Sequence, residues 1–210
     1  MRNWNRLTAL FLAVLMLLAL STTAFAAVSD TGFSDVAADA WYADAVTYVR
    51  DNGLMSGTST TAATFSPDAA TSRAMLATIL YRASGSPAVS LSAGFTDVAN
   101  AAWYTDAANW AAANGIISGY GNGLFGVNDP VTREQFATIL YRYAKYMGYS
   151  ATGSSLTGYY DANSVSSWAR DAMGWAVRNG IITGSGNSRL NPTGTASRAE
   201  VAQMFMSFYE

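Results

Sequence analysis

The 210 residues contain no cysteine and no histidine, and only 4 prolines. Without cysteine there are no disulfides and no thiolate metal sites, so a chain exported to an oxidising compartment must be held together by packing alone. Without histidine there are no Ser-His or Cys-His nucleophilic pairs and no imidazole zinc ligands, which removes much of the hydrolase repertoire. Charge is scarce as well. Acidic and basic residues make up 12% of the chain and the net charge is −2, so a nucleic-acid partner has no electrostatic footprint to bind. One long apolar run occurs, Leu7 to Leu20, preceded by Arg2 and Arg6 and followed by Ala24-Phe25-Ala26. Basic, apolar, then small is the order of a secretory signal peptide, predicted over 1–26 with the mature chain starting at Ala27. The run is shorter than the ~20 residues that span a bilayer. No membrane attachment is expected after cleavage, and any retention at the cell surface has to be noncovalent.

Internal repetition is what the sequence has in quantity, with a period of about 60 residues. Phe33-Ser34-Asp35-Val36, Phe95-Thr96-Asp97-Val98 and Tyr159-Tyr160-Asp161-Ala162 open three segments, each followed by a tryptophan: Trp41, Trp103, Trp168. Next come Asn-Gly and an apolar pair in Asn52-Gly53-Leu54-Met55, Asn114-Gly115-Ile116-Ile117 and Asn179-Gly180-Ile181-Ile182. A hydroxyl residue and an arginine then precede a second apolar stretch: Ser72-Arg73, Thr132-Arg133, Ser197-Arg198. The repeats occupy about 33–85, 95–148 and 159–210 within one unit, 27–210.

Helical spacing runs through both halves of each repeat. Trp41, Tyr42, Ala45, Val46, Tyr48 and Val49 predict a first helix with one buried face, as do Trp103, Tyr104, Ala107, Ala108 and Trp110. The glycine after each asparagine accepts the left-handed conformation that closes a helix. Apolar residues recur at the same places after each arginine: Leu76, Ile79, Leu80; Phe136, Ile139, Leu140; Val201, Met204, Phe205. Two short helices cannot bury both stripes alone, so the repeats are expected to share a core and no single repeat to fold by itself. The serine or threonine ahead of each arginine is a helix cap. Thr132 with Gln135 and Ser197 with Glu200 have capping-box spacing, which repeat one loses at Met75.

These ordered motifs resemble the surface-layer-homology (SLH) family. Repeat two carries the resemblance best, with Gly119-Tyr120-Gly121-Asn122-Gly123-Leu124-Phe125 and Thr132-Arg133-Glu134-Gln135. Repeat three keeps Ser197-Arg198-Ala199-Glu200, while repeat one reads Ser72-Arg73-Ala74-Met75 and has a longer threonine-rich loop before Phe65. The resemblance implies a mainly α fold: three two-helix repeats packed as a pseudo-threefold spindle around a central three-helix bundle, with ligand grooves between repeats. It also implies a cell-wall polysaccharide as partner, bearing a pyruvate ketal on an amino sugar.

Three sets of residues are candidates for that ligand, and each has a structural alternative. Trp41, Trp103 and Trp168 are read as core, as sugar platforms, or as both at a groove edge. Asp35, Asp97 and Asp161 fix a local turn or accept sugar hydroxyls. Arg73, Arg133 and Arg198 each stand at the first position of a helix, where the dipole disfavours a cation. Either a nearby Asp or Glu pairs with them, or an external anion does, helped by free N–H groups at the helix start.

Other motifs carry less. Gly121 to Gly126 spells the dinucleotide fingerprint but follows a helix and turn instead of a strand. Asp161-Ala162-Asn163 begins like a calcium loop, yet Ser166 and Ala172 stand where glycine and glutamate are required. No catalytic residue, cofactor or metal is expected. Two functions remain: a noncovalent polysaccharide-binding surface anchor, or a structural subunit of a surface layer or envelope complex, acting through protein cargo or lattice partners.

Overall fold

The computed structural model describes residues 31–90 and 92–210; the signal peptide expected at 1–26 lies outside them. Six α-helices occur among the described residues: α1 (Ala43–Asp51), α2 (Arg73–Ala83), α3 (Thr105–Ala113), α4 (Arg133–Tyr146), α5 (Arg170–Arg178) and α6 (Arg198–Tyr209). Two single 3-10 turns, Ala162–Ser164 and Ser167–Ala169, lead into α5. The chain is mainly helical, with two helices in each of three repeats.

Local chemistry sets the helix boundaries. Gly53, Gly115 and Gly180 all take positive φ, +65°, +66° and +69°. Each lets the next residue turn back: the Leu54, Ile116 and Ile181 N–H groups donate to the Val49, Ala111 and Ala176 carbonyls. The asparagine amides at 52, 114 and 179 cover a further carbonyl one turn back. At the other helix starts the expected caps are present. Ser72 accepts from the Met75 N–H, and Thr132/Gln135 and Ser197/Glu200 form full capping boxes. Repeat one, with Met75, has the cap but no reciprocal bond.

Helices pack across repeats more closely than within them. α1 lies against α6, α3 against α2, and α5 against α4. Each first helix therefore docks on the second helix of the preceding repeat, and α1 closes the cycle on repeat three. Small residues allow this approach: Ala43, Ala45 and Val46 of α1 and Ala107, Ala108 and Ala111 of α3 are buried. All nine apolar positions predicted in the second helices are buried. Those helices meet through long side chains, Phe136 on Phe205 at 5.6 Å between centroids and the Tyr143 hydroxyl 3.3 Å from that of Tyr209.

A ring of three backbone hydrogen bonds ties the repeats together just ahead of α2, α4 and α6. The Thr71 N–H donates to Ala196, the Ala196 N–H to Val131, and the Val131 N–H to Thr71, at 2.9–3.1 Å. Each bond joins two different repeats, so removing one repeat opens the ring.

Candidate ligand grooves between repeats

The three aspartates sit at corresponding points. Asp35 accepts the Phe65 and Ser66 N–H groups, each at 2.7 Å, on separate carboxylate oxygens. Asp97 accepts from Phe125, Gly126 and Val127, and Asp161 from Leu190 and Asn191. Burial alone would raise the Asp97 and Asp161 carboxyls, but these backbone donors outweigh it and hold both below the usual carboxylate range. Of the two roles read from the sequence, the hydrogen bonds display the loop-fixing one.

The loop that each aspartate holds is the docking point for an arginine from another repeat. Arg198 Nε donates to the Phe65 carbonyl, Arg73 Nε to Phe125 and Arg133 Nε to Leu190, all at 2.8 Å. A second guanidinium nitrogen differs among them. Arg198 and Arg73 use Nη2 on the Ser56 and Ser118 carbonyls, whereas Arg133 uses Nη1 on Glu200 at 2.8 Å. All three arginines are buried. Burial lowers the Arg73 and Arg198 pKa values; Tyr120, Asp129 and Asp97 oppose this at Arg73, and Asp35 at Arg198.

One expectation is corrected here. The N–H groups that open these helices are not free: Arg73 and Ala74 donate to Asp129 and Val127, Arg133 and Glu134 to Gly194 and Pro192, Arg198 and Ala199 to Ala69 and Pro67. The neighbouring repeat's loop takes the position that an anion at a helix start would occupy, leaving only side chains to meet one. The carboxylate pairing read as an alternative is present at Arg133 alone among the three.

The tryptophans are not core. Trp41, Trp103 and Trp168 are 64%, 63% and 56% exposed. The reason is register: α1 and α3 begin at Ala43 and Thr105, so Trp41 and Trp103 precede the helical face, and Trp168 sits in a 3-10 turn ahead of α5. Trp41 and Trp103 stand at groove edges instead. A groove of about 540 Å³ is lined by Trp41 of repeat one, Thr183, Gly184, Glu200 and Gln203 of repeat three, and Arg133 of repeat two. Another, of about 340 Å³, is lined by Trp103 of repeat two, Ser56, Met75 and Arg82 of repeat one, and Arg198 of repeat three. Each thus draws on all three repeats.

Sequence reading did not single out several residues that build these surroundings. Tyr120 lies over Arg73 with 4.6 Å from guanidinium carbon to ring centroid. Arg82 lines the Trp103 groove, two positions past the predicted apolar pair of its helix. Buried Glu134 accepts from the Ser166 backbone and hydroxyl, a link between repeats that no local pattern signals.

Comparison with known proteins matches the family model described as the S-layer homology domain three times, at residues 32–75, 94–137 and 158–202. The chain belongs to this family. It is 33% identical over 165 residues to the surface-layer 125 kDa protein of Lysinibacillus sphaericus, covering 77% of the chain and 13% of that protein. It is 30% identical over 182 residues to an amylopullulanase of Thermoanaerobacterium thermosulfurigenes, covering 86% of the chain and 10% of that protein. To the S-layer protein sap of Bacillus anthracis it is 28% identical over 172 residues, covering 81% of the chain and 20% of that protein. The chain thus spans a fifth or less of these relatives, and what it shares with the enzyme is the anchoring module. Family membership and the S-layer likeness identify an exported cell-surface protein with an anchoring role.

Proposed function

We propose that this chain is a noncovalent anchor that binds secondary cell-wall polysaccharide in its inter-repeat grooves, through an acidic, pyruvylated sugar. One observation carries the reading: an exposed tryptophan, a turn with its helix, and a buried arginine converge on one groove from three different repeats. The tryptophan offers an apolar face to a sugar ring, and the groove-facing guanidinium offers a planar donor to a carboxylate. Trp41, Trp103 and Trp168 act as platforms, Arg73, Arg133 and Arg198 as the cationic floor, and Asp35, Asp97 and Asp161 hold the loops on which the arginines dock. The S-layer names of the relatives favour a second reading, a structural subunit working through protein contacts. Replacing the three exposed tryptophans together by alanine separates the two, because exposed side chains contribute little to the fold. Wall binding should be lost while the thermal midpoint stays nearly unchanged; a variant that binds protein-free wall normally contradicts the reading.

A further inference from the structure

The two grooves repeat in plan but differ in charge, and one position on the second helix decides the difference. That position, third in the helix, is Met75 in α2, Gln135 in α4 and Glu200 in α6. Glu200 reaches across to Arg133 at 2.8 Å, so the Trp41 groove holds one cation and one anion, already paired. In the Trp103 groove the same place is Met75, which has no charge to offer Arg198. Arg198 spends Nε and Nη2 on the Phe65 and Ser56 carbonyls, and Nη1 makes no hydrogen bond to the described residues. A second cation stands beside it. Arg82, exposed and on the groove wall, has no carboxylate within ion-pair distance among the described residues. Its counterpart in the Trp41 groove is Ser207.

The corresponding surroundings of Arg73 differ again. Arg73, like Arg198, has two nitrogens on backbone carbonyls and a phenylalanine ring against its guanidinium, Phe125 at 5.3 Å where Arg198 has Phe65 at 4.5 Å, but a second ring, Tyr120, also lies over it at 4.6 Å. Thr58 and Ser185 stand at the corresponding points of the other repeats. Tyr120 can lie there because residue 126 is glycine: a Cβ at Gly126 would meet the Tyr120 ring and come within 2.7 Å of Asp129 Oδ2. Ser66 and Asn191 occupy that point in repeats one and three.

We infer that the grooves are specialised: the Trp103 groove, with Arg198 and Arg82, is the acceptor for the acidic sugar. The Trp41 groove is neutralised by Glu200 and takes an uncharged sugar. Tyr120 covers the corresponding cation, Arg73. This rests on the glycan-binding reading above and assigns charge preference within it. The physical basis is that a carboxylate gains most where a guanidinium keeps an unused donor and has no carboxylate paired to it.

The test uses the full chain with its tryptophan indole N–H signals resolved by nuclear magnetic resonance. The probes are the methyl glycoside of a pyruvylated N-acetylhexosamine and its uncharged counterpart. In the native protein the acidic probe should shift the Trp103 signal at the lowest concentration. Met75→Glu places at Arg198 the carboxylate that Glu200 gives Arg133, and completes the capping box of α2. It should weaken acidic-probe binding at Trp103 about tenfold or more, with a thermal midpoint equal to or above native, so that loss of binding is not loss of fold. Arg82→Ser should weaken the acidic probe and leave the uncharged one unchanged. Glu200→Gln, which keeps the capping geometry that Gln135 provides in α4, should make the Trp41 signal respond to the acidic probe. Equal response of Trp41 and Trp103 to the acidic probe in the native protein, or acidic binding untouched by Met75→Glu, would overturn the specialisation while glycan binding stands. If neither probe moves any of the three signals, glycan binding in the grooves fails, and the specialisation with it.

Discussion

Asp97 shows how one side chain supports two repeats. Its carboxylate gathers three N–H groups of the 125–127 loop, and the Phe125 carbonyl of that loop receives Arg73 from repeat one. Because the folded pKa values of Asp97 and Asp161 are depressed, their contribution is complete above the ordinary carboxylate value, about 3.9, and is lost as pH falls through the lower folded values. Urea unfolding should therefore give a stability nearly constant from pH 7 to about pH 4.5 from these groups, falling below that; Asp97→Asn should flatten the fall. A decline that begins near pH 6 would place the acid-sensitive groups elsewhere. Thr71 makes the opposite case. Its hydroxyl is buried without a hydrogen-bond partner among the described residues, where repeats two and three place Val131 and Ala196. Thr71→Val should raise stability by about 1 kcal/mol, and a loss of that size would mean the hydroxyl is bonded in solution. At this scale the sequence was half legible. It marked Asp35, Asp97, Asp161 and the arginines as recurring, but their hydrogen bonds span dozens of residues and leave no local trace.

Among the elements, the helix ends were the most readable, since caps and Asn-Gly stops act over four or five residues. The first helices were misread at their starts: period alone carried the buried face back to Trp41-Tyr42 and Trp103-Tyr104, one or two residues before the helix begins. The turn after each first helix is tightly built. A Cβ at Gly119 would stand 2.6 Å from the Leu124 carbonyl oxygen and clash with the edge of the Phe95 ring. Gly119→Ala should accordingly cost about 2 kcal/mol, read as a lowered urea midpoint; an unchanged midpoint would show that the loop opens without strain. Thr132→Ala should cost about 1 kcal/mol, because the capping box loses its acceptor for the Gln135 N–H.

For the whole molecule, the exchange of helices between repeats makes the triplet the folding unit. The fragment Ala93–Gly148 contains α3 and α4 but neither α2 nor α5, the helices on which they pack. It should show little helix by circular dichroism and no cooperative transition, whereas cooperative unfolding as a monomer would show that a repeat can cover its own apolar faces. The need for shared burial was legible from two unpartnered stripes per repeat; which repeat each helix joins was not, because the exchange is fixed by packing at a distance. The grooves follow from the same exchange, since only a closed cycle brings a tryptophan, a turn and an arginine from three repeats together. That convergence is most directly tested by sedimenting the purified protein with protein-free sacculi, before and after chemical removal of pyruvate. The protein should pellet with intact sacculi and remain in solution with the depyruvylated ones; equal pelleting with both would contradict recognition of an acidic sugar.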